Sequence, residues 1–398
     1  MAKSKLAMAL AVIGKSKVID PANRVNTSLA LNGMEHISTG CILIDHLIGG
    51  VSTANGDLLC PGFPKGRIVE VFGGEGSGKT SICIQAAVRC QRAGGSVLYL
   101  DYENAMSLQY AQSLGLDIMD QDSFVLWNPA HFEEGAELIS AAINAGVDLI
   151  VVDSIAAMVP QKTFENAVSE IGQIGYLARS LSAFFPKIVK PLRAHGSTLV
   201  LINQIRARIK TSMYDLGPDE DTSGGKALKF YASVRLKFHP RTKIKSKVKN
   251  PLTGDVEEQI HATIVRATCI KNKIAPHQGH TVDVVVRFGS GFDNVQSILD
   301  IALKRSMISR AGAWYSWTGS KGDPIKIQSS EKVYDFLKNN PPEFGHLVGQ
   351  IEGFFNKIET MDTLNLEDKD IIREDIPDLS TEEDDNDTSG FVPPEDMD

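Results

Sequence analysis

The residues with the clearest chemical signature form the segment 73–80, which reads GGEGSGKT and fits the pattern G-x-x-x-x-G-K-S/T. A strand-like segment, 67–72, comes directly before it. Glycines let successive backbone N–H groups converge on phosphates, Lys79 can neutralise their charge, and the Thr80 hydroxyl can bind Mg²⁺. The pattern therefore predicts a loop that binds a nucleoside triphosphate through Gly73, Gly74, Glu75, Gly76, Ser77, Gly78, Lys79 and Thr80.

Three further strand-like segments each lead to a polar residue that could take part in hydrolysis: Asp153, Glu103 and Gln204. Asp153 could steer Mg²⁺ through its water shell, although an Asp that ends a strand is also often only a helix cap. Glu103 could activate the attacking water as a general base, and Gln204 could sense a γ-phosphate by hydrogen bonding. Because the carboxyl ends of parallel strands meet at one edge of a sheet, these residues predict a hydrolytic site beside the loop.

Two loop-like segments suggest a polyanionic partner. Residues 205–225 include Arg206 and Arg208 but carry little signal for secondary structure, and residues 165–175 lead into a helix that carries Arg179. Long irregular segments inside a compact domain are usually functional or disordered, and basic residues suit a phosphodiester backbone. These segments therefore predict loops that bind a nucleic-acid backbone, with merely mobile surface loops as the alternative.

Lysines in extended segments offer a second basic surface. Basic residues alternate along 241–249, which places them on one face, where they either attract nucleic acid or form a solvated strand edge. Lys271 and Lys273 follow the apolar segment 263–270 and share one face of that strand.

The elements that must position these residues alternate between strands and helices. Apolar, β-branched runs without strict polar alternation are typical of strands covered on both faces, which predicts an α/β fold with a mostly parallel central sheet. After residue 225, period-two stretches predict an antiparallel extension with a hairpin turn at 250–255. The expected strands are 68–72, 97–100, 149–152 and 198–202, and the expected helices lie near 79–93, 132–144 and 174–192.

The motifs, the alternation of elements, the composition and the charge together predict four parts along the 398 residues. These are a short helical N-terminal arm (1–35), an ATPase core (36–293), a small α/β C-terminal domain (294–361) with two helical stretches around 312–330, and an acidic tail (362–398). The tail holds 15 acidic and two basic residues, a net charge of −13, so the rest of the chain carries +5. Such a tail is expected to be disordered, and it either aids solubility or competes with nucleic acid for the basic body.

The overall composition is typical of a globular protein, with 42% hydrophobic and 23% charged residues. No apolar run approaches the roughly 20 residues of a membrane span, and the N-terminus lacks the features of a signal peptide, so we expect a cytoplasmic location. The five cysteines show no metal-binding spacing and are expected to be reduced thiols.

Taken together, the motifs resemble the RecA recombinase family of bacteria and their phages, over roughly residues 35–345. Beside the phosphate loop, the segments that carry the resemblance are LDYE at 100–103, VVDS at 151–154, LINQIR at 201–206, GGKALKFYASVR at 224–235 and KNKIA at 271–275. The resemblance implies a P-loop NTPase core of the RecA type that uses ATP and Mg²⁺. It further implies a helical filament on single-stranded DNA, with ATP between neighbouring copies, that pairs with homologous duplex DNA and exchanges strands.

The resemblance also implies roles for individual residues. Glu103 matches a catalytic glutamate, Gln204 a link between the γ-phosphate and DNA, Tyr110 an aromatic residue on adenine, and Phe230 a contact with the next subunit. Lys271 and Lys273 match lysines that reach the ATP of the adjacent subunit. Residues 165–175 and 205–225 match the two DNA-binding loops of the family. The residues that match contacts to DNA are Ile174, Arg179, Arg206, Ile209, Gly224 and Gly225, and Arg208 lies beside them.

Two other functions stay open at this point. A hexameric helicase-type motor shares the same core fold, and closed rings without filaments would favour it. A regulatory role, in which the nucleotide-bound filament induces self-cleavage of a repressor after DNA damage, would complement strand exchange.

Overall fold

The structure is a computed structural model that describes residues 34–50, 59–165, 175–207, 220–249 and 255–351. The predicted acidic tail lies outside these residues, as do almost all of the N-terminal arm, the turn at 250–254 and most of both predicted DNA loops. The four-part division of the chain therefore stays a prediction.

A large sheet dominates the described residues, and a short antiparallel ribbon of β1 (His36–Ile37) and β2 (Phe63–Pro64) precedes it. The described sheet has ten strands, in the spatial order β12-β11-β10-β9-β3-β7-β6-β4-β5, with β8 paired to β7. In chain order they are β3 (Ile68–Gly73), β4 (Val97–Asp101), β5 (Phe124–Trp127), β6 (Leu149–Asp153), β7 (Thr198–Ala207), β8 (Glu220–Thr222), β9 (Val234–Lys249), β10 (Val256–Asn272), β11 (Thr281–Arg287) and β12 (Gly291–Phe292).

The pairing confirms the predicted fold class. Strands β9, β3, β7, β6, β4 and β5 run parallel, whereas β10, β11 and β12 extend the sheet in antiparallel pairs. Every residue of β3, β4 and β6 is buried, as expected for strands that are covered on both faces.

Helices cover the two faces and form two apolar cores. One core joins Val71 and Val151 to Ile82 of the helix after the phosphate loop, and the other joins Leu100 to Phe185. The described helices are α1 (Ile42–Gly49), α2 (Lys79–Arg92), α3 (Leu108–Ser113), α4 (Phe132–Ala145), α5 (Gln161–Glu165), α6 (Tyr176–His195), α7 (Gly225–Tyr231), α8 (Asn294–Lys304) and α9 (Ser330–Asn339), with further helical residues at 341–351. None of these helices combines the length and apolar character that a bilayer crossing requires.

The prediction was incomplete after residue 304. The segment expected to lie between two helical stretches folds as a three-stranded antiparallel sheet of β13 (Ser309–Ala311), β14 (Trp314–Thr318) and β15 (Pro324–Gln328). Strand β14 buries Tyr315 and Trp317 and exposes the alternate residues Trp314, Ser316 and Thr318, a period-two pattern. Trp317 then packs edge-on against Phe336 of α9, with ring centroids 5.9 Å apart.

The prediction that residues 205–225 lack regular structure was also wrong at both ends of the segment. Strand β7 continues to Ala207 because β8 pairs with it, with Ile205 opposite Thr222. This pairing brings the two ends of the predicted DNA loop together at the sheet.

Candidate nucleotide site and DNA-facing surface

The phosphate loop connects β3 to α2. Gly78 is the N-terminal cap of α2 and has φ of +85°, a conformation that residues with a Cβ rarely adopt. The Ser77 hydroxyl and the Lys79 ammonium both donate to the Gly74 carbonyl, at 2.8 and 2.6 Å. Burial lowers the pKa of Lys79, and the carboxylates of Asp153 and Glu103 oppose this shift. A partly buried ammonium inside a loop of backbone N–H groups suits a triphosphate.

Thr80 and Asp153 meet beside this loop. The Thr80 hydroxyl donates to Asp153 Oδ2 at 2.8 Å, and the Tyr99 hydroxyl donates to the same oxygen at 2.8 Å. Burial raises the pKa of Asp153, whereas these two hydrogen bonds lower it. A hydroxyl and a carboxylate are oxygen ligands of the kind that Mg²⁺ prefers, so this pair fits the cation that accompanies a bound nucleotide.

Glu103 and Gln204 meet at the same edge of the sheet. Asp101 holds the turn after β4, because its carboxylate accepts hydrogen bonds from the backbone N–H groups of Glu103 (3.1 Å) and Met106 (2.9 Å). Glu103 Oε1 accepts hydrogen bonds from the Ser154 hydroxyl and from Gln204 Nε2, the latter at 3.0 Å. The strand ends of β4, β6 and β7 thus come together as the sequence predicted, while the catalytic roles of their residues stay predictions.

A cavity of about 350 Å³ adjoins the phosphate loop. Tyr110 lines it, and its hydroxyl donates to Ser81 Oγ at 2.8 Å. Its role in packing on a base stays a prediction. Sequence reasoning missed Phe288 and Gly289, which reach this cavity from the turn between β11 and β12. An aromatic residue followed by Gly-Ser-Gly, directly after an apolar strand, was the signal that could have found them.

A buried ion pair lies behind the site, and sequence reasoning missed it as well. Glu70, fully buried in β3, accepts hydrogen bonds from Arg235 Nε and from Asn203 Nδ2, the latter at 3.0 Å. Asn203 also donates to the Ser223 carbonyl at 2.8 Å and accepts from the backbone N–H of Gln204 at 2.9 Å. The Arg235 guanidinium lies 4.8 Å from the ring centroid of Phe72. Asn203, which Glu70 holds, therefore connects Gln204 to Ser223, the residue that precedes the Gly-Gly pair.

The predicted DNA contacts are placed only in part. Gly224 and Gly225 begin α7 with φ of +91° and +70°, and a Cβ on Gly225 would lie 2.9 Å from the Cβ of Ala178 in α6. Arg179 follows Ala178, is exposed, and lies 5.4 Å from the ring centroid of Tyr176. The two glycines and Arg179 thus lie close together. The glycines are also needed for structural reasons, because α6 and α7 pack closely at this point. Outside the described residues lie Ile174, Arg208, Ile209 and the side chain of Arg206.

Lys271 and Lys273 lie together at the end of α7, next to Phe230. The Lys271 ammonium donates to the carbonyls of Lys229 (2.6 Å) and Phe230 (3.0 Å), and that of Lys273 donates to the Phe230 carbonyl at 3.2 Å. The Phe230 side chain is 68% exposed, and Lys273 lies over its ring. Burial, Lys273 and Arg235 lower the pKa of Lys271 to about 8. The two lysines thus form a compact positive cluster next to an exposed aromatic ring.

Comparisons with known proteins support one family. Residues 5–293 match the RecA N-terminal domain. Protein RecA of Thermotoga petrophila is 34% identical over 321 residues, which cover 80% of this chain and 81% of that protein. Protein RecA of Acinetobacter baylyi is 34% identical and covers 78% and 80%, and that of Lactococcus lactis is 32% identical and covers 90% and 86%. A crystal structure of the RadB recombinase aligns with a TM-score of 0.42 and 22% identity, over 64% of this chain and 98% of that chain.

A phosphate loop between a parallel strand and a helix, with a carboxylate on a nearby strand end, defines the class of P-loop ATPases. The relatives narrow that class further, because they match over most of this chain at 32–34% identity. The chain belongs to the RecA family. Membership confirms the resemblance seen in the motifs and gives the protein a role in DNA recombination and repair.

Proposed function

We propose that this protein uses ATP and Mg²⁺ to form a helical filament on single-stranded DNA, pairs that strand with a homologous duplex and exchanges strands. Hydrolysis of ATP is stimulated by DNA. Family membership supports the reaction class, and the contact between Gln204 and Glu103 carries the proposed coupling to DNA, because Gln204 belongs to the strand that leads into a predicted DNA loop.

The residues of the site divide the chemistry among them. Lys79 and the loop N–H groups would bind the β- and γ-phosphates, and Thr80 with Asp153 would hold Mg²⁺. Mg²⁺, when bound, neutralises charge on the phosphates and orients them. Glu103 accepts a proton from the attacking water, and Gln204 reports the γ-phosphate to the segment behind it.

The hydrogen bonds among Glu70, Asn203 and Ser223 support a connection between the nucleotide site and the predicted DNA loop. Asn203 bonds to the Ser223 carbonyl on the DNA-loop side and to the Gln204 backbone on the nucleotide side. A displacement of residues 223–225 by DNA therefore acts on Gln204 through the Asn203 side chain.

We place the protein in the cytoplasm, and a self-cleaving repressor is a further candidate partner. A hexameric helicase-type motor is the alternative function, since it would use the same phosphate loop.

DNA dependence is the first measurement. We expect single-stranded DNA to raise the rate of ATP hydrolysis at least about tenfold, and Lys79→Ala to lower the stimulated rate by about 10²-fold or more, because phosphate charge is then not neutralised. Lys332→Ala, which changes an exposed lysine on α9, is the matched control and should keep the wild-type rate.

Electron microscopy of the same samples separates the two functions. Filaments on single-stranded DNA support strand exchange, whereas closed hexamers that unwind a forked duplex would establish the helicase alternative. Turnover that is independent of DNA would describe a self-contained ATPase and contradict the proposal.

The acidic tail gives a second prediction. Deleting residues 362–398 removes a net charge of −13, so we expect binding to duplex DNA at about 50 mM salt to become roughly tenfold tighter, and the gain to shrink by 200 mM. Fluorescence anisotropy across a salt titration measures this. A full-length variant with Asn and Gln in place of the tail's Asp and Glu should reproduce the gain, because charge and not length is responsible. Equal affinities at every salt concentration would leave the tail only a solubilising role.

A further inference from the structure

Tyr99 is a buried polar side chain that the proposed chemistry does not use. It lies in the middle of β4, is fully buried, and belongs to the apolar core that packs against α2. Its hydroxyl bonds to a charged side chain and not to a backbone carbonyl. It donates a 2.8 Å hydrogen bond to Oδ2 of Asp153, the carboxylate that is proposed to hold Mg²⁺.

The Asp153 carboxylate needs such a restraint. The terminal torsion of an Asp side chain is a broad rotor, so the strand alone does not fix the direction of its oxygens. Two described side chains donate to this carboxylate, Tyr99 and Thr80, and both bonds end on Oδ2. The Thr80 oxygen is itself a proposed metal ligand, whereas Tyr99 has no other proposed task.

The position of Tyr99 makes its restraint rigid. Strands β4 and β6 are paired, with Tyr99 opposite Val151 and Asp101 opposite Asp153, so the donor is fixed by the sheet and by core packing. The Asp153 carboxylate also lies near the carboxylates of Glu103 and Asp101. The hydrogen bond from Tyr99 to this buried, negatively charged group is stronger than a bond between neutral groups. The Tyr99 bond therefore holds one oxygen of Asp153 and leaves Oδ1 without a described side-chain donor.

We propose that Tyr99 is a positioning residue for the metal site, whose hydroxyl fixes the Asp153 carboxylate and thereby sets the Mg²⁺ concentration that nucleotide binding requires. This inference rests on the proposed function, since it concerns the same site. It assigns the hydroxyl a role in Mg²⁺ affinity beyond its role in the stability of the core.

The test measures binding of a fluorescent ATP analogue as a function of Mg²⁺ concentration, without turnover. Tyr99→Phe removes only the hydroxyl, and we expect it to raise the Mg²⁺ concentration for half-maximal binding about tenfold, with nearly wild-type affinity at saturating Mg²⁺. Tyr102→Phe is the matched control. Tyr102 directly follows the same strand, but its hydroxyl donates to the His131 carbonyl at 3.4 Å, so the Mg²⁺ dependence of this variant should stay that of the wild type.

A double-mutant cycle separates positioning from a general softening of the core. The effect of Tyr99→Phe should disappear in an Asp153→Ala background, because the side-chain oxygen that the hydroxyl orients is then absent. An effect of equal size in both backgrounds, or an unchanged Mg²⁺ midpoint in a folded Tyr99→Phe protein, would overturn the inference. Tyr99→Met, whose flexible chain fills an irregular space, provides the same readout if the phenylalanine variant does not fold. A wild-type protein that binds no Mg²⁺-nucleotide would instead contradict the proposed function.

Discussion

Replacing Glu103 with Gln is expected to slow ATP hydrolysis severely and leave nucleotide binding intact. Glutamine keeps the size of the side chain and can still accept hydrogen bonds from Ser154 and Gln204, but it cannot take a proton from water. Loss of a general base costs about 10²- to 10⁴-fold, and we expect kcat to fall by that amount with little change in KM.

The rate and the binding must be measured on the same preparations. Steady-state hydrolysis with single-stranded DNA gives kcat, and the fluorescent ATP analogue gives the affinity. Glu137→Gln, a change to an exposed glutamate on α4, should leave both unchanged. A Glu103→Gln protein that still turns over ATP at more than a tenth of the wild-type rate would show that another group activates the water.

The prolonged ATP state of this variant has a further consequence. If Gln204 reports the γ-phosphate to the DNA loop, a protein that binds ATP without cleaving it should stay on single-stranded DNA longer than the wild type. Dissociation measured after dilution into competitor DNA tests this. Faster dissociation would contradict a connection from Gln204 to DNA.

The sequence predicted those parts of the fold that short local patterns determine. The short apolar runs of β3, β4 and β6 predicted buried parallel strands, and parallel strands bring their carboxyl ends to one edge, so Glu103 and Asp153 could be placed beside the loop in advance. The phosphate loop itself is local, since eight consecutive residues define it.

Features that depend on distant partners were not visible in this way. Glu70 interrupts an apolar strand, yet its partner Arg235 lies 165 positions along the chain, and no local pattern connects the two. Phe288 reaches the nucleotide cavity from a turn far from the phosphate loop. Tyr99 looked like any aromatic strand residue until the pairing of β4 with β6 placed its hydroxyl on Asp153.

The cluster of Lys271 and Lys273 leads to the second prediction, that a complete ATP site needs two protomers. Two ammonium groups bond to the same Phe230 carbonyl. Burial, together with the repulsion from Lys273 and Arg235, lowers the pKa of Lys271 to about 8. An arriving phosphate would relieve this repulsion. Because the neighbouring Phe230 ring is 68% exposed, the cluster is well placed to meet an anion from another copy of the chain.

We therefore expect Lys271→Ala to lower DNA-stimulated hydrolysis by about 10²-fold while nucleotide binding by the free protomer stays near the wild-type value. The phosphate loop of the mutant is unchanged, so only the contribution to the neighbour is lost. Lys332→Ala again serves as the control, because it removes an exposed lysine outside the cluster.

Mixing two inactive proteins distinguishes a shared site from a weakened one. Lys79→Ala supplies an intact Lys271 and Lys271→Ala supplies an intact phosphate loop, so a head-to-tail filament of both contains some complete sites. In a random equal mixture about a quarter of the interfaces would join the two intact halves, and the rate per protein should recover toward that fraction of wild type. As a control, the double mutant Lys79→Ala/Lys271→Ala is mixed with an excess of either single mutant. No recovery is expected, because each of these mixtures lacks one half of the site entirely. A mixture no more active than its components would mean that Lys271 acts within its own protomer, through α7 and the Phe230 carbonyl that it already contacts.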